Sequence, residues 1–91
     1  MSQNVRKVRL PVDLPPRWTA EVCSFGVLIE ARNADGRIIG GMTVNEKIRG
    51  YTPGIAPVKR SDIDPYRGRG WREALYRDAI DTLITISGWR G

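Results

Sequence analysis

Histidine is absent from this chain, and cysteine occurs once, at Cys23. The first absence removes the side chain that most often moves protons near neutral pH and a usual ligand of zinc. The second excludes an intrachain disulfide and any metal site built on paired cysteines. Cys23 also has no histidine to activate it as a nucleophile. Long apolar runs are missing too, and none approaches the roughly 20 residues that a membrane-crossing helix needs. The opening stretch "MSQNVRKVRLPVDLPP" contains no apolar block of the signal-peptide kind. Together these gaps argue against an enzyme, a metal centre, a cofactor and a membrane partner. The expectation they leave is a soluble cytoplasmic protein that works by binding.

What is present fits one small domain, residues 1–91, with 41% hydrophobic and 27% charged residues. That balance is ordinary for a globular chain and unlike a disordered one. The net charge is +5, carried by 15 basic residues against 10 acidic ones. Its distribution is uneven. Residues 1–17 hold Arg6, Lys7, Arg9 and Arg17 against Asp13, whereas residues 18–58 balance to zero. The excess returns in Lys59, Arg60, Arg67, Arg69, Arg72 and Arg77. Such local excess attracts nucleic acid or an acidic protein surface, and equally it serves as a solvated face. Most of the basic residues are arginine, whose planar fork suits phosphate and carboxylate.

The clearest local pattern is "VLIEARNADGRIIGGMTV", two apolar-rich runs around Asp35-Gly36, a strong hairpin signal. A two-residue loop there opposes Ile29 to Met42 and Val27 to Val44. Cys23, Phe25 and Ala31 then share their face, and Glu30, Arg32 and Thr43 take the other. Gly40-Gly41 marks a bulge or a close approach by a helix. Upstream, "VRLPVDL" alternates Val8, Leu10 and Val12, which reads as an edge strand because Pro11 cannot donate to a ladder. "WTAEV" leads into the next strand through a bulge near Ser24–Gly26. Residues 47–69 form a long loop before the helix, with an extra strand conceivable at 55–59. Residues 1–7 read as a mobile basic arm.

From Trp71 the period changes to that of a helix. Trp71, Leu75, Ala79, Thr82, Leu83 and Ile86 fall on one stripe, widened by Tyr76 and Ile80. Gly88 fits the left-handed position after the last turn, with Trp89 folding back over Ile84. The fold class expected is α+β: a small antiparallel sheet of about three strands with one C-terminal helix packed on one face. In architecture alone, this order of elements resembles double-stranded-RNA-binding domains and three-strand-plus-helix DNA-binding domains of the integrase type. Fold by itself does not fix function.

The stretch that raises a functional question is "PYRGRGWRE", residues 65–73. It resembles the start of a glycine-rich phosphate loop, and a helix N-terminus does attract anions. The dinucleotide fingerprint needs a hydrophobic strand before it and a third small residue where Glu73 stands. A plainer role survives, in which Arg67, Arg69 and Arg72, with Tyr66 nearby, grip a backbone phosphate or stack on bases. Arginines at a helix start oppose the helix dipole by a few tenths of a kcal/mol each. A sequence chosen for stability alone would put acidic residues there, and such local conflicts mark functional sites. The competing view is that Trp71 belongs to the core and the arginines face water. Asp62 and Asp64 lack the further ligands a metal would need, and Asp64-Pro65 suits the start of a turn. The candidate contact residues are therefore Arg67, Arg69, Arg72, Lys59, Arg60, Arg6, Lys7, Arg9 and Tyr66. The partner is nucleic acid, DNA or RNA, or else a larger protein on which the chain docks as an inhibitor or adaptor.

Overall fold

The structure, a computed structural model, describes residues 8–59 and 64–91. Four strands run in chain order through one antiparallel sheet: β1 (Thr19–Cys23), β2 (Gly26–Arg32), β3 (Ile38–Asn45) and β4 (Gly50–Pro53). A single 3-10 turn at Asp64–Tyr66 precedes the helix α1 (Trp71–Ser87), which packs on one face of the sheet. The α+β class is as expected, with four strands in place of about three.

The central hairpin has the register that the apolar pattern specifies, with Ile29 opposite Met42 and Val27 opposite Val44. Its turn is built differently. Asn33 Oδ1 accepts the amides of Asp35 and Arg37, both at 3.0 Å, and Gly36 sits in the left-handed region at φ 82°. Asn33 thus fixes the turn from its own side chain, as short polar residues do. A register shift between Ala31 and Arg32 absorbs the extra loop residue.

The bulge expected near Ser24–Gly26 is instead a tight hairpin turn. Cys23 pairs with Gly26, so Ser24 and Phe25 form a two-residue loop between β1 and β2. This reversal changes which side chains share a face. Val22 and Ala20, opposite Val27 and Ile29, join the helix side, and Cys23 lies on the other. Gly26 is the residue that lets the turn close. Its φ is 138°, and a Cβ there would stand 2.3 Å from the Val44 carbonyl oxygen.

Residues 8–12 form no edge strand. Leu10, Val12 and Leu14 pack against the core from the helix side, where Val12 and Asp13 lie beside Arg77, Ile80 and Asp81. The apolar alternation was real, but the segment packs without pairing, Val12 beside the helix and Val8 and Leu14 beside Trp18, Thr19 and Ala20. The fourth strand is Gly50–Pro53 rather than 55–59.

Ile29, Ala31, Met42 and Val44 of the sheet meet Leu75, Tyr76, Ala79, Ile80 and Leu83 of α1. Full burial of side chains of this size is worth roughly 1.5–3 kcal/mol apiece. Gly40 permits the close approach: a Cβ would lie 3.1 Å from Leu83 Cδ1 and 3.2 Å from Ser87 Cβ. Ile86, expected on the stripe, is 55% exposed, because in the last helical turn it is Ser87 that lies against Gly40 of the sheet. The opposite sheet face is not open. Thr43 is fully buried and its hydroxyl donates to the Gly54 carbonyl at 2.6 Å, while Leu28 and Val58 are also buried. The chain that follows β4 therefore folds back across that face.

Candidate functional site

The two ends of α1 are finished in different ways. At its start, Gly70 is the N-cap in the left-handed region at φ 84°, and Gly68 adopts φ 78°. A glycine N-cap has no side chain with which to satisfy the first-turn amides, which a helix itself leaves without partners. The amide of Trp71 donates to the Gly68 carbonyl at 3.4 Å. Arg67 and Arg69 project from this loop and are exposed.

Beneath the loop lies a polar network centred on the β3–β4 turn. Glu46 accepts from Arg72 Nε at 2.8 Å through one carboxylate oxygen and from the Tyr76 hydroxyl at 2.7 Å through the other. The Arg72 hydrogen bond holds the Glu46 carboxyl below its ordinary range, against the opposing pull of partial burial. Burial raises the Tyr76 hydroxyl above its usual value, and the bond to Glu46 adds to that. The phenol therefore remains a donor at neutral pH. Three residues on, Arg49 has a left-handed backbone at φ 51° and places its guanidinium 4.1 Å over the Trp71 ring. Its Nη1 also donates to the Tyr66 carbonyl at 2.8 Å.

The residues anticipated as contacts now separate by position. Arg67, Arg69, Lys59 and Arg9 are exposed. Arg72 is committed to Glu46 and also donates through Nη2 to the Arg9 carbonyl at 3.4 Å. Tyr66 is buried, and its hydroxyl donates to Asp78 Oδ2 at 2.5 Å. Burial, followed by the Asp78 bond, pushes that hydroxyl above its ordinary range. Its ring faces the core and does not present a surface on which bases stack. Arg6, Lys7 and Arg60 lie outside the described residues.

The structure thus brings the main chain at Arg9 to the helix start, far from it in sequence. The Arg72–Arg9 bond lays the N-terminal stretch against the helix start, and Glu46 and Arg49 draw in the β3–β4 turn, which also carries Lys47. Sequence reasoning missed Glu46 and Arg49. Their segment is neutral in sum, and "NEKIRG" reads only as a polar loop between apolar runs. Only the fold shows what that loop holds.

Comparison with protein-family models, with curated proteins and with solved structures finds no match to the chain. Among the described residues, no group of metal-ligating side chains comes together, and no helix is long and apolar enough to cross a membrane.

Proposed function

We propose that this chain is a small binding module for nucleic acid that contacts backbone phosphate through Arg67 and Arg69, with Arg9 and Lys59 as further exposed cations. The observation that supports this reading is the Arg72–Arg9 bond, which sets the main chain at Arg9 beside the helix start that carries Arg67 and Arg69. One end of the molecule gathers positive side chains around a glycine-capped helix whose dipole is itself positive there. Phosphate is the ligand that such an arrangement favours. In this reading Arg72 is a brace rather than a contact, since its Nε serves Glu46 and its Nη2 the Arg9 carbonyl. Tyr66 likewise supports the loop from below. The protein would act in the cytoplasm without catalysis and without a cofactor.

The experiment is a titration with short duplex DNA and single-stranded RNA at several salt concentrations, with inorganic pyrophosphate as competitor. Backbone binding predicts affinity that falls steeply with salt and little preference among sequences. Displacement at low pyrophosphate concentration, with weak nucleic-acid affinity, would point to a free phosphate ligand instead. Absence of both would remove the reading.

A second reading, a protein-docking module, is favoured by a different place. Val22 is 53% exposed and Phe25 36%, and with Val27 and Val44 they line an open groove of about 340 Å³ beside the β1–β2 turn. Loss of a co-purifying protein on Phe25→Ser, with nucleic-acid affinity absent from the parent, would favour that reading.

A further inference from the structure

We infer that Arg49 is a positioning residue that holds the Tyr66–Trp71 loop in its binding geometry without touching the ligand. The inference rests on the phosphate reading above and assigns a role to a residue outside the loop.

Arg49 meets the loop at both of its ends. Nη1 bonds the Tyr66 carbonyl at the entry, and the flat guanidinium covers the Trp71 ring at the exit. Between those anchors lie only Arg67, Gly68, Arg69 and Gly70, two of them glycines with left-handed backbones. Glycine leaves a loop with the most conformational freedom to lose. A clamp across its ends removes part of that freedom before any ligand arrives, which strengthens binding by pre-organisation.

Arg49 is held in its turn by its own surroundings. Its amide donates to the Glu46 carbonyl at 3.3 Å, closing the β3–β4 turn. The Glu46 side chain fastens that turn to Arg72 and Tyr76 on α1. The left-handed φ of 51° is unusual for a residue with a side chain. A fold without need of this guanidinium would place glycine or asparagine there. Arginine alone offers a planar group that stacks on an indole while its edge donates to a carbonyl, so lysine is not equivalent.

The test compares Arg49→Gln and Arg49→Lys with the parent, using amide hydrogen exchange at Gly70 and Trp71 and titration with short duplex DNA. Both variants should exchange faster at those amides while the strands keep their protection. A loop that occupies its binding geometry one-tenth of the time binds about tenfold more weakly. Both variants should lose affinity on that order, with the slope of log affinity against log salt unchanged. Recovery of affinity in Arg49→Lys would overturn the inference, because charge alone would then suffice. So would a slope flatter by roughly 0.9 in Arg49→Gln, the mark of a lost phosphate contact. Faster exchange with full affinity would also overturn it. If the parent itself binds no nucleic acid, the phosphate reading fails, and the exchange data alone then judge the clamp: unchanged protection at Gly70 and Trp71 would overturn it. Should Arg49→Gln fail to fold, Arg49→Lys carries every arm except the charge-removal slope.

Discussion

The C-terminal end of α1 is closed by apolar packing, and the N-terminal end is surrounded by charged side chains. At the C-terminus Gly88, left-handed at φ 71°, donates its amide to the Ile84 carbonyl. Trp89 then lies edge-on to Trp18 at 5.6 Å between ring centroids, and its indole N–H donates to the Arg32 carbonyl at 2.9 Å. Apolar packing and a satisfied donor are what stability asks of a helix end. At the N-terminus stand two glycines and two exposed arginines, with Glu73 as the acidic residue of the first turn. The difference teaches that one end was shaped by the need to fold. The other carries features that cost a little stability, for which the proposed phosphate contact would account.

Removal of Trp89 gives the largest effect expected from this contrast. Trp89→Ala loses an aromatic pair and a hydrogen bond beside the core, and should cost about 2–4 kcal/mol in a denaturant titration. Nucleic-acid affinity of the variant that remains folded should match the parent. A fall in affinity that exceeds the fraction unfolded would mean that the two ends are not separate in function.

A smaller loss is expected at Glu46, the residue that braces the N-terminal end. Glu46→Gln should destabilise by about 1 kcal/mol, because the carboxylate is partly exposed and water screens its pair with Arg72. The direction with pH follows from the lowered pKa of this carboxyl, whose ordinary value is 4.5. Its stabilisation is complete above that value and is lost as pH falls through the lower folded value. Parent and variant should therefore differ near neutrality and converge in acid below about pH 4.5, as read from melts across the acid range. A difference that persists unchanged to the lowest pH at which both fold would contradict the assignment of Glu46.

Much of the fold was legible in the sequence because binary patterns report which face of an element is buried. The faces of β2 and β3 followed from the apolar alternation, and the pairing of Ile29 with Met42 and Val27 with Val44 from a two-residue loop at Asp35-Gly36. The tight spacing of helix and sheet followed from Gly40, and the helix terminus from Gly88. Patterns do not report what lies against a buried face. The alternation at Val8, Leu10 and Val12 suggested a strand, yet Leu10 and Val12 pack on the core and Val8 lies beside Trp18, Thr19 and Ala20 without pairing. Thr43 read as lying on the face away from Ile29, with nothing in the pattern to show that residues after β4 cover that face. Of the candidate site, the exposed Arg67 and Arg69 were legible as a local excess of charge. The roles of Arg72, Arg49 and Glu46 were not, because each depends on partners 17 or more residues away. Pairings at that distance leave no trace in local composition.

The smallest effect on stability belongs to the pair that should matter most for binding. The double variant Arg67→Gln/Arg69→Gln removes positive charge from a helix start, which should leave the melt unchanged or raise stability by a few tenths of a kcal/mol. Titration of this variant with duplex DNA across several salt concentrations, beside its melt, tests the central claim most directly. The prediction is weaker binding and a slope of log affinity against log salt flatter by roughly 1.8, two lost phosphate contacts at about 0.9 each. An unchanged slope together with a lowered melting temperature would contradict it, and would make these arginines part of the scaffold instead.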